Sequence, residues 1–132
     1  MDEEANSTAS KTVLLVDDDS FITVAYKDGL ENAGLNVIVA GNGEVALNIL
    51  QSTKPDLVLM DLIMPKMNGF ELLQAMKENE ALNDIPVIVL TNLSQDSDEA
   101  EARAYGIVDF LVKTNVSLND VVLRVQQQLS DF

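Results

Sequence analysis

The run Leu57–Met60 constrains the fold of this chain more than any other feature. Its four consecutive apolar residues follow Pro55 and Asp56 and end at Asp61. An unbroken apolar run of this length, bounded by turn residues, is typical of a strand buried on both faces, as in a parallel sheet covered by helices. Proline and glycine within residues 64–69 prevent the strand from continuing. We therefore expect Asp61 at the carboxyl end of a buried strand, the edge where open α/β sheets bind ligands.

A second apolar run, Val13–Val16, ends in the same way, with the consecutive carboxylates Asp17, Asp18 and Asp19. If the two strands are neighbours in a parallel sheet, Asp17 and Asp18 lie close to Asp61. A cluster of carboxylates repels itself unless a cation neutralises it. The pattern therefore predicts a metal site at this edge, whereas Asp19 is interpreted as a solvated carboxylate near the positive end of a helix.

Apolar runs and amphipathic segments alternate five times along the chain. Strands are predicted at 11–16, 36–40, 56–60, 87–90 and 108–112, and helices at 20–33, 44–52, 68–79, 96 to about 106, and from 115 or 117 to about 129. Ser20 is expected to cap the first helix, Gly34 to follow its end, and Val45 to face the sheet from the second. This alternation predicts an α/β domain, a parallel sheet with helices on both faces and right-handed crossovers.

The charge and the length of the chain limit the classes of partner. The 132 residues are enough for one domain, and residues 1–10 are interpreted as a flexible acidic tail. A net charge of −14 argues against binding to nucleic acid or to an anionic membrane, because the surface would repel phosphates. The chain has no Cys and no His, which excludes disulfides and imidazole ligands. With no apolar leader and no run of membrane-spanning length, we expect a cytoplasmic protein.

The polar residues that follow the predicted strands all fall on the same edge of the sheet. Asp17, Asp18 and Asp61 are joined there by Thr91 after the fourth strand and Lys113 after the fifth. Carboxylates suit Mg²⁺, and a hydroxyl and an ammonium suit phosphoryl oxygens. A carboxylate nucleophile needs its charge neutralised and its line of attack fixed by such neighbours. The combination predicts a Mg²⁺-dependent reaction with a phosphoryl group.

Four motifs in this order give the chain a specific resemblance. They are Leu15-Val16-Asp17-Asp18-Asp19, Asp61-Leu62-Ile63-Met64-Pro65 with Asn68-Gly69, Thr91, and Phe110-Leu111-Val112-Lys113. In these motifs the chain resembles a response-regulator receiver domain of the chemotaxis-protein-Y type, the phosphoacceptor half of bacterial two-component signalling. The resemblance covers residues 11–131. It implies a single flavodoxin-like domain, a doubly wound (βα)5 fold with strand order 2-1-3-4-5.

The resemblance also implies a role for each residue of the motifs. Asp61 matches the phosphoacceptor, Asp18 a direct Mg²⁺ ligand, Asp17 its acidic companion, and Ile63 a backbone carbonyl ligand. Thr91 matches the hydroxyl that moves toward the phosphoryl group, and Lys113 matches the ammonium that pairs with it. Phe110 matches an aromatic switch whose rotamer follows Thr91, although a strand phenylalanine is as often simple core.

The chain departs from the family pattern at four positions near the site. Thr114 stands where the family usually has a cis proline, so we expect either a trans bond with a shifted loop or a strained cis bond, which puts the placement of Lys113 in doubt. Asn92 replaces a common alanine at the cleft mouth. Ile63 and Leu93 are apolar where the family tunes loss of the phosphoryl group, so we expect a long-lived aspartyl phosphate.

These expectations combine into one functional hypothesis with two alternatives. We expect a single-domain, non-enzymatic regulator that takes a phosphoryl group from a histidine kinase or phosphotransfer protein and signals to an unidentified protein target. The first alternative is a pseudo-receiver, a protein-binding module that does not depend on phosphorylation. The second is a phosphohydrolase with a nucleophile in Asp17–Asp19, which a chain without room for a substrate-enclosing cap makes less favourable.

Overall fold

A computed structural model describes residues 11–130 of the chain, and the expected tail at residues 1–10 lies outside the described part. Strands and helices alternate throughout. The elements are β1 (Thr12–Val16), α1 (Ser20–Asn32), β2 (Asn36–Ala40), α2 (Gly43–Leu50), β3 (Leu57–Met60), α3 (Gly69–Lys77), β4 (Val87–Thr91), α4 (Asp96–Ala104), β5 (Asp109–Val112), a 3₁₀ turn (Lys113–Asn115) and α5 (Leu118–Ser130). The expected alternation is confirmed, and no boundary differs from its predicted position by more than three residues.

The five strands form one parallel sheet with the order β2-β1-β3-β4-β5. This confirms the flavodoxin-like fold. Val16 is in register with Met60, Met60 with Val89, and Thr91 with Val112. The carboxyl ends of the four strands β1, β3, β4 and β5 therefore lie side by side, and the residues that follow them share one edge of the sheet.

The core has two layers, one on each face of the sheet. Alternate strand residues pack with α2, α3 and α4 on one face and with α1 and α5 on the other. Every side chain of β3 is buried on one of these faces, which explains why its sequence is apolar without alternation. No helix within residues 11–130 combines the length and the apolar composition that crossing a bilayer requires.

The helix ends follow from local side-chain hydrogen bonds. Gly34 follows α1 with a φ of 92°, a left-handed conformation that glycine adopts without strain, as expected. The expected cap at Ser20 is wrong, because Asp19 precedes the helix and its side chain accepts hydrogen bonds from the Phe21 and Ile22 amides. Asp19 is one residue closer to the strand end, and its carboxylate satisfies the free amides of the first turn.

One expected core residue is exposed. Val45 was expected to face the sheet, but α2 begins at Gly43 and turns Val45 outward, leaving it 42% exposed. Ala46 and Leu50 from the same helix are buried. The apolar residues of this short helix outnumber the positions that its buried face can hold.

Candidate functional site

Asp61 lies at the end of β3, and both of its carboxylate oxygens have partners. Its backbone amide donates to the Val16 carbonyl at 2.9 Å, which ties it to β1. Oδ1 accepts hydrogen bonds from the amides of Leu62 at 2.6 Å and Ile63 at 3.2 Å. Oδ2 is 2.9 Å from Lys113 Nζ. The residue is only 6% exposed, and these contacts hold its carboxylate in one orientation. We call the region of the sheet edge around Asp17, Asp61, Thr91 and Lys113 the cleft.

Asp17 lies beside Asp61 at the end of β1. Its amide donates to the Ala40 carbonyl of β2, its Oδ1 accepts from the Asp19 amide at 2.9 Å, and its Oδ2 is 2.8 Å from Lys113 Nζ. Asp18 is exposed, yet one oxygen from each of Asp17, Asp18 and Asp61 lies within 4.8 Å of the others. The sequence therefore identified correctly which carboxylates the fold brings together.

Lys113 is the cation that partners this cluster, and the pKa directions reflect the imbalance of charge. Burial raises the pKa of Asp17, although the hydrogen bond from Lys113 works in the opposite direction. Burial by itself would lower the pKa of Lys113, but the hydrogen bonds with Asp17 and Asp61 outweigh it and raise the pKa. One ammonium facing several carboxylates stays charged, while a deeply buried carboxyl group is only partly compensated.

The peptide bond between Lys113 and Thr114 is trans, as are all peptide bonds of the described residues. The chain forms a 3₁₀ turn from Lys113 to Asn115 where the family usually has a cis proline. Lys113 Nζ still reaches both Asp17 and Asp61, so the substitution by Thr114 does not displace the ammonium from the cleft.

Thr91 and Phe110 lie on the two strands beyond β3. Thr91 ends β4, is fully buried, and its Oγ1 accepts a hydrogen bond from the Leu93 amide at 3.3 Å. Phe110 pairs with Val89 in the sheet and packs into the layer that contains α4, the face opposite to Leu111. Successive side chains of β5 therefore alternate between the two faces of the sheet. The switch role of Phe110 and the metal role of the Ile63 carbonyl stay predictions.

Sequence reasoning missed one aromatic neighbour of the cleft. Tyr26 of α1 is buried, and burial raises the pKa of its hydroxyl, with Lys113 and Asp17 close enough to add opposing effects. The helical spacing of apolar residues in α1 is enough to put Tyr26 on the buried face, but it gives no information about which strand end its ring approaches. Only the packing of α1 across the sheet brings it toward Lys113.

The donor set of the cleft fits a hard divalent cation. Carboxylate oxygens are the ligands that Mg²⁺ prefers, and Asp17, Asp18 and Asp61 offer one each within a space that one ion spans. Asp18, being exposed, approaches from the solvent side. The chain has no Cys and no His, so neither a thiolate nor an imidazole adds to these oxygens, and a donor set made of carboxylates favours a hard cation.

A parallel doubly wound domain with buried carboxylates and an ion-paired lysine at the carboxyl edge of its sheet belongs to the class of α/β domains whose ligand site is suited to a cation and a phosphoryl group. Comparison with known families agrees. The family model of the response regulator receiver domain matches residues 13–126. The chain belongs to this family, whose members act in two-component systems as signalling domains and not as classical enzymes.

Individual relatives share both sequence and fold. The chain is 42% identical to the transcriptional regulatory protein CpxR of Escherichia coli K12 over 101 residues, 76% of this chain and 42% of CpxR. The receiver domain of Francisella response regulator 1452 is 29% identical, with a TM-score of 0.83 over 91% of this chain and 97% of that one. The Mn²⁺-bound form of response regulator Rcp1 is 30% identical, with a TM-score of 0.78 over 92% of this chain and 93% of that one.

The chain spans about half the length of the curated relatives it matches, several of which are named as transcriptional regulators. The similarity therefore defines the receiver part of such proteins. The expectation of a single-domain regulator stays a prediction.

Proposed function

We propose that Asp61 accepts a phosphoryl group from a phosphohistidine of a histidine kinase or phosphotransfer protein. A carboxylate oxygen of Asp61 forms a bond to phosphorus while the phosphorus–nitrogen bond breaks, and the imidazole nitrogen keeps the electron pair and takes up a proton. The observation that carries this proposal is the shared ammonium: Lys113 Nζ lies within 2.9 Å of both Asp61 and Asp17. The Asp61 carboxylate is thereby held beside the positive charge of Lys113, which would stabilise the aspartyl phosphate.

In this proposal the protein supplies orientation and charge. The Leu62 and Ile63 amides hold Asp61 Oδ1, which fixes the plane of the carboxylate. Lys113 exchanges its contact with Asp61 Oδ2 for one with the incoming phosphoryl oxygens. Thr91 exchanges the hydrogen bond from Leu93 for a contact with the phosphoryl group, because a hydroxyl can reorient at little cost.

Mg²⁺ is the cation that we propose for the acidic cluster. Asp17, Asp18, Asp61 and the Ile63 carbonyl would hold it. When bound it neutralises the carboxylates and the phosphoryl oxygens, lowering the repulsion between an anionic donor and an anionic acceptor. The similarity to a Mn²⁺-bound response regulator supports a divalent ion of this class.

We further propose that phosphorylation shifts an existing equilibrium and alters the surface formed by α4, β5 and α5. Thr91 ends β4, and Phe110 lies on the neighbouring strand against the layer that contains α4. Movement of Thr91 toward the phosphoryl group leaves space on that side, which Phe110 would fill by changing its rotamer. The target of this signal is another protein, which would bind the altered surface.

Mass spectrometry after incubation with acetyl phosphate and Mg²⁺ tests the acceptor. We expect the native protein to gain the mass of one phosphoryl group and Asp61→Asn to gain none, because the amide is not a nucleophile. Asp56→Asn is the matched control, since Asp56 is an exposed carboxylate before the first residue of β3, at the opposite end of that strand from Asp61, where it accepts a hydrogen bond from the Thr12 amide. Equal uptake by Asp61→Asn would contradict the assignment.

The alternative of a pseudo-receiver rests on Thr114 and Asn92, the departures from the family pattern. Asn92 directly follows Thr91 and is exposed. In this alternative its amide would narrow the approach of a donor. Binding of beryllofluoride with Mg²⁺, followed by a change in the ¹⁹F spectrum, separates the two functions. A native protein that binds neither beryllofluoride nor a phosphoryl group would be a phosphorylation-independent binding module.

A further inference from the structure

The amides that hold Asp61 belong to the loop that follows it. We call residues 62–68 the acceptor loop. Leu62 and Ile63 begin this loop, and their N–H groups point at Asp61 Oδ1 only while the loop keeps its course. The orientation of the acceptor carboxylate therefore depends on what holds the rest of the loop.

Gly69 fixes the end of the acceptor loop against its beginning. Its amide donates to the Leu62 carbonyl at 3.0 Å. A Cβ at this position would lie 2.5 Å from the Asp61 carbonyl oxygen and 2.7 Å from Leu62 Cα, distances that real Cβ atoms do not show. The loop can close this tightly only with glycine at its end.

Gly43 fixes the middle of the loop from a different element. It begins α2, and its amide donates to the Met67 carbonyl at 3.1 Å. A Cβ at Gly43 would lie 2.5 Å from that carbonyl oxygen and 2.9 Å from Met67 Cγ. The backbone of α2 therefore rests directly on the acceptor loop.

The loop does not hold this course by its own backbone preference. Lys66, immediately before Met67, is the one non-glycine residue among residues 11–130 with a positive φ, 68°. A left-handed conformation is unfavourable for a non-glycine residue, because Cβ comes too close to the following carbonyl oxygen. Contacts from outside the loop must offset this strain. One of them is the hydrogen bond from Gly43 to Met67, the residue next to Lys66.

We propose that Gly43 is a positioning residue for the phosphoacceptor. Contact of the α2 backbone with Met67 holds the acceptor loop in its strained course, and the loop in turn holds the Leu62 and Ile63 amides on Asp61 Oδ1. The close contacts of Gly43 are with Met67, so it acts on Asp61 through the loop. The proposal rests on the proposed function of Asp61 as acceptor.

Gly43→Ala tests this chain of contacts. The added Cβ has to displace the Met67 carbonyl, and the displacement passes to Ile63 and Leu62. A misplacement of about 1 Å at a reacting group can cost on the order of a hundredfold in rate, so we expect the rate of phosphoryl uptake from acetyl phosphate at saturating Mg²⁺ to fall by roughly tenfold or more. The ¹H–¹⁵N resonances of Leu62 and Ile63 are expected to move as their hydrogen bonds lengthen.

Gly41→Ala is the matched control. Gly41 lies two residues away in the same β2–α2 connection, its φ is not positive, and an added Cβ there meets nothing within 4 Å. We expect this variant to keep the native uptake rate and the native resonances of Leu62 and Ile63. A purely structural role of Gly43 would lower the unfolding temperature but leave both amide resonances and the uptake rate of the folded protein unchanged, and that result would overturn the proposal.

A second variant decides the question if Gly43→Ala does not fold. The Asn42 side chain caps α2 by accepting from the Val45 amide at 2.9 Å, so Asn42→Ala loosens the turn that carries Gly43 without adding an atom to the contact. We expect slower uptake and shifted Leu62 and Ile63 resonances in this variant also, and native values would overturn the proposal. If the native protein takes up no phosphoryl group, the proposed function fails, and the amide resonances alone still decide the role of Gly43.

Discussion

The residues of the cleft come from four strand ends, and each is useful because of its neighbours. Lys113 directly follows the edge strand β5 and reaches across β4 to Asp61 and Asp17. Its pKa is raised, so it remains an ammonium throughout the physiological range. A residue without a polar group, Ile63, stands beside this charged cluster with 53% of its surface exposed.

The side chain of Ile63 leads to a prediction about the lifetime of the aspartyl phosphate. Its side chain cannot orient an attacking water by hydrogen bonding, so we expect the aspartyl phosphate to be long-lived. Ile63→Asn adds an amide that can hold such a water, and the decay of chemically phosphorylated protein is expected to accelerate. Decay followed by mass spectrometry measures this, with Ile63→Leu as the apolar control. Rapid decay of the native protein, unchanged in Ile63→Asn, would contradict the expectation.

The helices differ in how firmly their ends are fixed. α3 begins with a capping box between Asn68 and Glu71. α5 begins in the same way: the Ser117 amide donates to Asp120 at 2.9 Å, and the Asp120 amide donates to Ser117 Oγ at 3.1 Å. The hydrogen bond from the Ser117 backbone lowers the pKa of Asp120. α4 has no side-chain cap and buries a single residue of its nine, Ala102. α4 is therefore the helix best suited to move when the cleft changes.

The cap at Ser117 leads to a prediction about the free energy of unfolding. Ser117→Ala removes the side-chain oxygen that satisfies the Asp120 amide, and loss of such a cap typically costs about 1 kcal/mol in the free energy of unfolding. Urea denaturation followed by circular dichroism measures the change. Ser97→Ala is the control, because Ser97 is exposed on α4, and substitutions of this kind stay within roughly 0.5 kcal/mol of the native protein. A loss no larger than that of the control would exclude a stabilising cap at Ser117.

The whole molecule carries a net charge of −14, and the cleft concentrates part of it. This field repels nucleic acid and anionic membranes, so the expectation that these 132 residues bind neither stays a prediction. The names of the longer relatives, transcriptional regulators, describe proteins about twice this length. Charge also makes the domain sensitive to its ionic surroundings.

The acidic charge of the molecule leads to a prediction about how cations change its unfolding temperature. Any salt screens the self-repulsion, but an ion that binds only the folded protein adds stability in proportion to the logarithm of its concentration. We expect MgCl₂ to raise the unfolding temperature more than NaCl of equal ionic strength, and chelation by EDTA to reverse the excess. Asp18→Asn is expected to lose most of the excess, whereas Asp28→Asn, an exposed carboxylate on α1, keeps it. Equal effects of the two salts would argue against a specific site.

The sequence by itself determined the class of fold and which polar residues lie at the carboxyl edge of the sheet. Apolar runs that end in polar residues are enough to predict parallel strands, because burial on both faces leaves no alternation, and a polar residue marks where a strand leaves the core. Asp17, Asp18, Asp61, Thr91 and Lys113 could therefore be assigned to one edge before any coordinates were known. The motifs of the family supplied the strand order.

Only the tertiary structure decided how these residues are held. The sequence predicted Ser20 as the cap of α1 and Val45 as a core residue. In the structure Asp19 caps α1, and Val45 points outward. That Lys113 reaches two carboxylates across a trans bond, and that Gly43 rests on the loop after Asp61, depends on contacts between residues far apart in the chain. Local sequence patterns indicate which segments are buried. The exact distances between side chains, to within a few tenths of an ångström, depend on how whole helices and strands pack against one another.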